Sequence, residues 1–193
     1  MVPQPRSGLL DPTELRDYGR AYQGGTELGV FDRSRGVQPI PVELRAGAPL
    51  DLVVEHMGRV NFGPKLPDNQ TGITQRVRLG ESELEHWEMF SLPLDDLSGL
   101  RFAIGTQASG PAFHLGTFTL DRTGDTFLDL QGWGKGYAWV NGHNLGRYWE
   151  RGPQRSLFLP GCWLRRGSNQ VIVFDWDAGR PRTIEGVDGP IYT

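Results

Sequence analysis

The sequence predicts an all-β chain of two antiparallel β-sandwich modules, on three observations. Glycine (27) and proline (14) punctuate short apolar runs along all 193 residues, which suits turns and strands rather than long helices. Asn141-Gly142 separates YAWV from LGRYW, and both residues tolerate the positive φ of a tight hairpin. Shifted by 117 residues, AYQGGTELGVF (Ala21 to Phe31) lies over AWVNGHNLGRY (Ala138 to Tyr148). The matches are Ala21/Ala138, Gly25/Gly142, Leu28/Leu145 and Gly29/Gly146, with aromatics at Tyr22/Trp139 and Phe31/Tyr148. With a small gap, LRAGAPLDLVVEHMGR then lies over LRRGSNQVIVFDWDAGR. Such self-similarity indicates two copies of one supersecondary unit.

In chain order, the lead MVPQPRSGLLDPTELRD is shorter than the segment before the second copy. The first module is therefore expected to lack its earliest strands. Asp11-Pro12-Thr13-Glu14 alternatively caps a short helix, with Asp11 as N-cap, Pro12 at N1 and Glu14 at N3. In LDLVVE, Leu50, Leu52 and Val54 share one face. TGITQRVRL and EHWEMFSLPL are further strand candidates. Asp95 to Pro111 is rich in Gly and Ser, which places the module boundary near Leu97 to Gly110. The division adopted is 1–97 and 98–193, the first module being partial. An incomplete module exposes strand edges and apolar surface, so dimerisation, or cover by another domain, is expected.

In the second module strands are expected near 126–131, 136–141, 155–160 and 170–176, after a front segment PAFHLGTFTL. Leu128 and Leu130 point one way, Phe127 and Asp129 the other. QVIVFDW is apolar on both faces and suits a strand inside a sandwich. RRGSN is a turn, with Gly167 and Asn169 as its special-φ positions.

The net charge of −3 argues against nucleic acid, which asks for a basic face. Arginine is abundant (18, against two lysines) but scattered. A single cysteine, Cys162, excludes an internal disulfide and a zinc cluster. No metal or other cofactor is expected. The N-terminus has no apolar core of a signal peptide, and no run approaches a membrane span. That favours the cytoplasm, or an export signal outside the chain. Asn69-Gln70-Thr71 is a formal glycosylation sequon.

The densest acidic cluster, GESELEHWE, holds Glu81, Glu83, Glu85 and Glu88 and reads as a solvated strand edge. Cys162, between Gly161 and Trp163, reads as a buried small residue rather than a nucleophile. No catalytic residue emerges. GWGKGYAWVNGHNLGRYWERGPQ contains three of the six tryptophans and has two readings, hairpin core or sugar-binding surface. Tyr148 and Trp149 point to opposite faces of a strand. The repeat places Trp139 with Tyr22, a structural position. Trp133, between Gly132 and Gly134, is the expected exposed aromatic. Asn141, His143, Asn144 and Arg147 complete the candidate carbohydrate-binding set.

GDTFLDLQGWGKGYAWVNGHNLGRYWERGPQRSLFLPGCWLRRGSNQVIVFDW resembles the last β-sandwich domain of the β-galactosidases of glycoside hydrolase family 35. APLDLVVEHMGRVNFGPKLPDNQTGIT resembles the preceding β-domain of the same enzymes. The resemblance runs from about residue 17 to 177. It implies jelly-roll modules with a galactose-binding-like fold. It also implies a (β/α)8 barrel before them, where two glutamates hydrolyse terminal β-galactosides with retention. Nothing here reads as that barrel. The resemblance further implies that MGRVNFG faces the barrel's sugar site, with Arg59, Asn61 and Phe62 near substrate. Phe62 stands where the family usually has tyrosine, so it packs or stacks but donates no hydrogen bond. The other reading is that Arg59 and Asn61 tie down the loop while Phe62 fills a gap.

Three functions follow as expectations. The chain is a non-catalytic tail bracing a barrel and shaping its entrance, a stand-alone galactoside-binding module, or a separately encoded subunit that docks a barrel chain.

Overall fold

In the computed structural model of the chain, residues 1–104, 110–177 and 183–192 are described. They form two compact units, Met1–Ser91 and Leu92–Thr193. Each unit is two antiparallel sheets around a shared apolar core, as the alternating runs require. The division read from the sequence lies at 97/98.

The first unit contains β1 (Arg6–Arg16), β2 (Tyr18–Gln23), β3 (Thr26–Asp32), β4 (Ile40–Leu44), β5 (Leu50–Glu55), β6 (Gly72–Leu79) and β7 (Ser82–Leu84). One sheet has the order β4-β1-β6-β7, the other β3-β2-β5. Their inner faces meet through Leu10, Leu15, Val42, Leu44, Val77 and Leu79 on one side and Ala21 and Phe31 on the other. Burying a side chain such as Leu10 or Phe31 contributes roughly 1.5–3 kcal/mol.

The lead corrects the sequence reading. It is neither a helix nor strand-poor, because all of Arg6–Arg16 is one strand between β4 and β6. Leu10 and Pro12 point inward two residues apart, and Leu15 follows after three. Glu14 takes φ 58°, and the ladder shifts register between Thr13 and Leu15. This bulge breaks the period-2 pattern that would mark the stretch as a strand, while Asp11, Pro12 and Glu14 imitate the residue types of a helix cap. A second correction concerns EHWEMFSLPL, which joins no sheet. His86 and Leu94 have positive φ, so the pleat stops after β7. The glutamates Glu81, Glu83, Glu85 and Glu88 are exposed, and Glu83 lies on edge strand β7.

The second unit contains β8 (Ala112–Leu120), β9 (Thr126–Asp129), β10 (Lys135–Val140), β11 (His143–Trp149), β12 (Ser156–Leu159), β13 (Gly167–Asp175) and β14 (Glu185–Val187). The sheets have the orders β11-β10-β13-β8 and β12-β9-β14. Leu128, Leu130, Leu157 and Leu159 face Ala138, Val140, Tyr148 and Val173 across the core. Trp139 is also buried, but alternation puts it on the opposite face from Ala138 and Val140, against Tyr137 and Phe113. Tyr148 is buried and Trp149 is half-buried, as adjacent strand residues should be.

The internal repeat extends to a backbone irregularity. Ala21 pairs with Gly29 and Tyr22 with Glu27, with a bulge between the two pairs. Ala138 pairs with Gly146 and Trp139 with Asn144, with the same bulge 117 residues later. The turns match as well: φ is 54° and 81° at Gly24-Gly25, and 51° and 85° at Asn141-Gly142. Both are two-residue turns of the kind whose twist fits a hairpin.

Candidate functional site

In the first unit the ladder itself assembles a site. β2 lies between β3 and β5, and its first residue, Tyr18, pairs with Asp32 on one side and Glu55 on the other. The corner residue Asp17, the end of β3 and the start of the His56–Thr71 loop therefore meet at one end of the sheet. Asp17 is the joint. Its Oδ1 accepts from Arg33 Nη1 at 2.9 Å, and its Oδ2 accepts from the Met57 backbone N–H at 3.2 Å. The Arg33 N–H also donates to the Asp17 carbonyl at 2.9 Å. Asp32 caps the short 3-10 turn Arg33–Arg35, its Oδ1 accepting from the Ser34 N–H and hydroxyl at 2.9 and 2.7 Å.

These groups border an open cleft of about 510 Å³, whose walls include Asp17, Asp32, Arg33, Met57, Arg59 and Asn69. Arg59 is exposed and makes no hydrogen bond or ion pair among the described residues. The Asn69 side-chain nitrogen is buried with no partner. Of the loop residues singled out from the sequence, only Arg59 lines the cleft. Asn61 is exposed, and Phe62 is 89% exposed outside it. Neither ties down the loop or fills a gap; the Asp17 carboxylate holds the loop base.

In the second unit the candidate sugar-binding set is not gathered on one surface. Trp133 is 5% exposed and belongs to the core with Leu130, Ala138 and Tyr148. Leu130 to Trp133 is a β-turn, closed by the Trp133 N–H on the Leu130 carbonyl at 3.0 Å, with Gly132 at φ 87°. That geometry, with positive φ at the third residue, swings the indole inward beneath His114, ring centroids 5.3 Å apart.

Asn141 is spent on structure. Its side-chain nitrogen donates to the Trp163 carbonyl (2.7 Å) and to Asn169 Oδ1 (2.8 Å), while its oxygen accepts from the Gln170 N–H (3.0 Å). Asn144 accepts from the Gly146 N–H at 2.7 Å within the bulge. His143 is exposed and stacks flat on Trp163, 4.6 Å away and 10° from parallel. Arg147 is half-buried on β11, opposite Tyr137.

Asn169 does not occupy a positive-φ position. It is a buried residue of β13 that bonds Arg165 through both its oxygen and its nitrogen, at 2.8 Å each. Cys162 is exposed rather than buried. It rides the outer side of the 3-10 turn Gly161–Trp163, whose following residue Leu164 enters the core. Among the described residues no group of three or more His, Cys, Asp or Glu side chains is placed to hold a metal ion.

Two family profiles match. "Beta-galactosidase, first all-beta domain" covers residues 2–93, and "Beta-galactosidase, galactose-binding domain" covers residues 111–169. The chain belongs to the β-galactosidase family. The MGRVNFG loop lies in the first β-galactosidase domain and the Asn141 hairpin in the second. A β-galactosidase from Xanthomonas manihotis is 39% identical over 156 residues, covering 80% of this chain and 26% of the relative. Human β-galactosidase-1-like protein 2 is 37% identical over 176 residues, covering 88% of the chain and 27% of the relative. A Bos taurus β-galactosidase is 35% identical over 231 residues, covering 100% of the chain and 34% of the relative. The chain thus spans about a quarter to a third of the length of these curated β-galactosidase relatives.

Proposed function

We propose that the chain is the non-catalytic β-domain part of a β-galactosidase, bracing a catalytic barrel and shaping the entrance through which terminal β-galactosides reach it. The observation that carries this reading is the MGRVNFG loop. It is pinned at its base by Asp17 and projects Phe62 with 89% of its surface exposed. An apolar ring held out on an anchored loop is suited to contact with another domain or a sugar face.

The decisive experiment exchanges this chain for the matching part of the Xanthomonas manihotis relative. The chimera is expected to hydrolyse a chromogenic β-galactoside, and removal of the chain should abolish that activity. Phe62→Asp should raise KM several-fold with a smaller change in kcat. A chimera as active without the chain as with it would refute the proposal. The isolated chain is expected to show no turnover.

A second reading, a stand-alone galactoside-binding module, is favoured by the name of the profile matching residues 111–169. Measurable galactose binding at His143 or Trp163 would support it.

A further inference from the structure

We propose that the edge strand β8 is a self-pairing seam, at which two copies of this chain join antiparallel, β8 on β8, into one continuous sheet. The contact needs no barrel and no sugar.

The edge is open. β8 ends the sheet β11-β10-β13-β8, and among the described residues its one strand partner is β13. The ladder runs from Gly167 opposite Leu120 to Asp175 opposite Ala112 without a register shift. Alternate residues of such an antiparallel strand turn both N–H and C=O away from the partner. Among the described residues no backbone group outside β13 bonds to them.

The edge is also unguarded. Folded β-proteins protect their edges with charge, proline, bulges or shortness. Every other edge strand of the described sheets has such a device. β4 carries Pro41 and Glu43, and β5 carries Asp51 and Glu55. β3 and β11 are bulged. β7, β12 and β14 have only three or four residues. β8, AFHLGTFTL, has nine residues, with no bulge, no proline and no Asp, Glu, Lys or Arg.

A second copy is the partner this strand fits. Antiparallel pairing centred on Gly116 sets Leu115 opposite Thr117 of the other copy, and Phe113 opposite Thr119. Leu115 is 42% exposed, and both threonines are exposed, so this outer face is free to form the rungs. On the core side His114 falls opposite Phe118. Aromatic or aliphatic side chains thus meet β-branched or aromatic ones, pairs that stabilise a sheet, and no like charges oppose each other. The two-fold consumes both β8 edges and closes the assembly at a dimer.

The test is sedimentation equilibrium of the full chain, with amide hydrogen exchange read by NMR at low and high concentration. A two-strand seam belongs with weak, transient contacts. The chain is therefore expected to be monomeric at low micromolar concentration and dimeric toward about a millimolar. Alternate β8 amides should gain protection with concentration, while the intervening ones, already bonded to β13, should not. Leu115→Lys sets two like charges diagonally across the seam and should weaken dimerisation about tenfold or more. Thr117→Lys should act likewise, and Phe158→Lys, on the other sheet, should change nothing. Unchanged β10 and β13 amide shifts in dilute samples establish that each variant is folded. If Leu115→Lys fails to fold, Thr117→Lys carries the comparison.

A chain that stays monomeric throughout would overturn the proposal, as a foreign strand would then be the only occupant left. So would association that ignores both β8 lysines or responds equally to Phe158→Lys. Growth beyond a dimer, or β8 protection independent of concentration, would overturn it too.

Discussion

The side-chain nitrogen of Asn141 donates to Asn169 Oδ1 at 2.8 Å, tying the hairpin turn to the closing turn before β13. Asn169 is only 2% exposed, and its nitrogen also donates to the carbonyls of Arg165 and Gly167. Replacing it with alanine strands several buried groups and should cost about 2–4 kcal/mol. Asn141→Gly keeps the positive φ and should cost only about 1–2 kcal/mol. Urea unfolding of the two variants checks this order, which the reverse ranking would refute.

Trp133→Ala should cost about 3–5 kcal/mol, as core tryptophans do. An exposed loop aromatic, as the flanking glycines suggest, would lose far less. A blue-shifted emission component absent from the variant, with a lower unfolding midpoint, is the expected result. A cost under about 1 kcal/mol would return the indole to the surface.

Alkaline pH should destabilise the chain through two tyrosines. Burial pushes the Tyr22 hydroxyl from its ordinary 10.0 up to about 12, with Arg20 pulling the other way. Tyr148 is also raised, chiefly by burial and then by the nearby Asp175. Folded tyrosine then holds its proton where unfolded tyrosine has lost it. The stabilisation is fully present below pH 10 and is lost as pH rises from about 10 toward 12. Urea midpoints measured across that window should fall, and Tyr22→Phe should flatten the slope. A flat wild-type profile would contradict the assignment.

Asp17→Ala should release the loop after β5. The Met57 amide loses its acceptor and Arg33 its ion-pair partner. Loss of about 1.4 kcal/mol of local stability corresponds to tenfold more opening. Trypsin cleavage after Arg59 and hydrogen exchange at Met57 should both accelerate about tenfold, while exchange in β13 stays unchanged. An unaltered cleavage rate would remove Asp17 from its anchoring role.

How much was legible depended on whether the signal was local. Asn141-Gly142 announced its hairpin because two positive-φ residues between apolar runs admit few other conformations. Leu128 and Leu130 declared the core side of β9 by simple alternation. Glu14 concealed β1, since a bulge resets the alternation that marks a strand. Trp133 misled because flanking glycines suggest exposure, whereas here Gly132 supplies the turn that sends the ring inward. The cleft was the least legible. The resemblance marks Arg59, but Asp17 and Asn69 lie far apart in sequence and line one cleft only once β2 pairs with β3 and β5. In sequence Asn69 shows only as part of a sequon.

The bulge shared by the two hairpins has a consequence for exchange between them. Each register shift lies at the same offset from a turn with nearly the same φ pair, so the two backbones reverse which face each side chain takes at the same step. Swapping residues 21–31 with 138–148 therefore leaves the flanking ladders in register, and the cost of such a graft falls on side-chain packing alone.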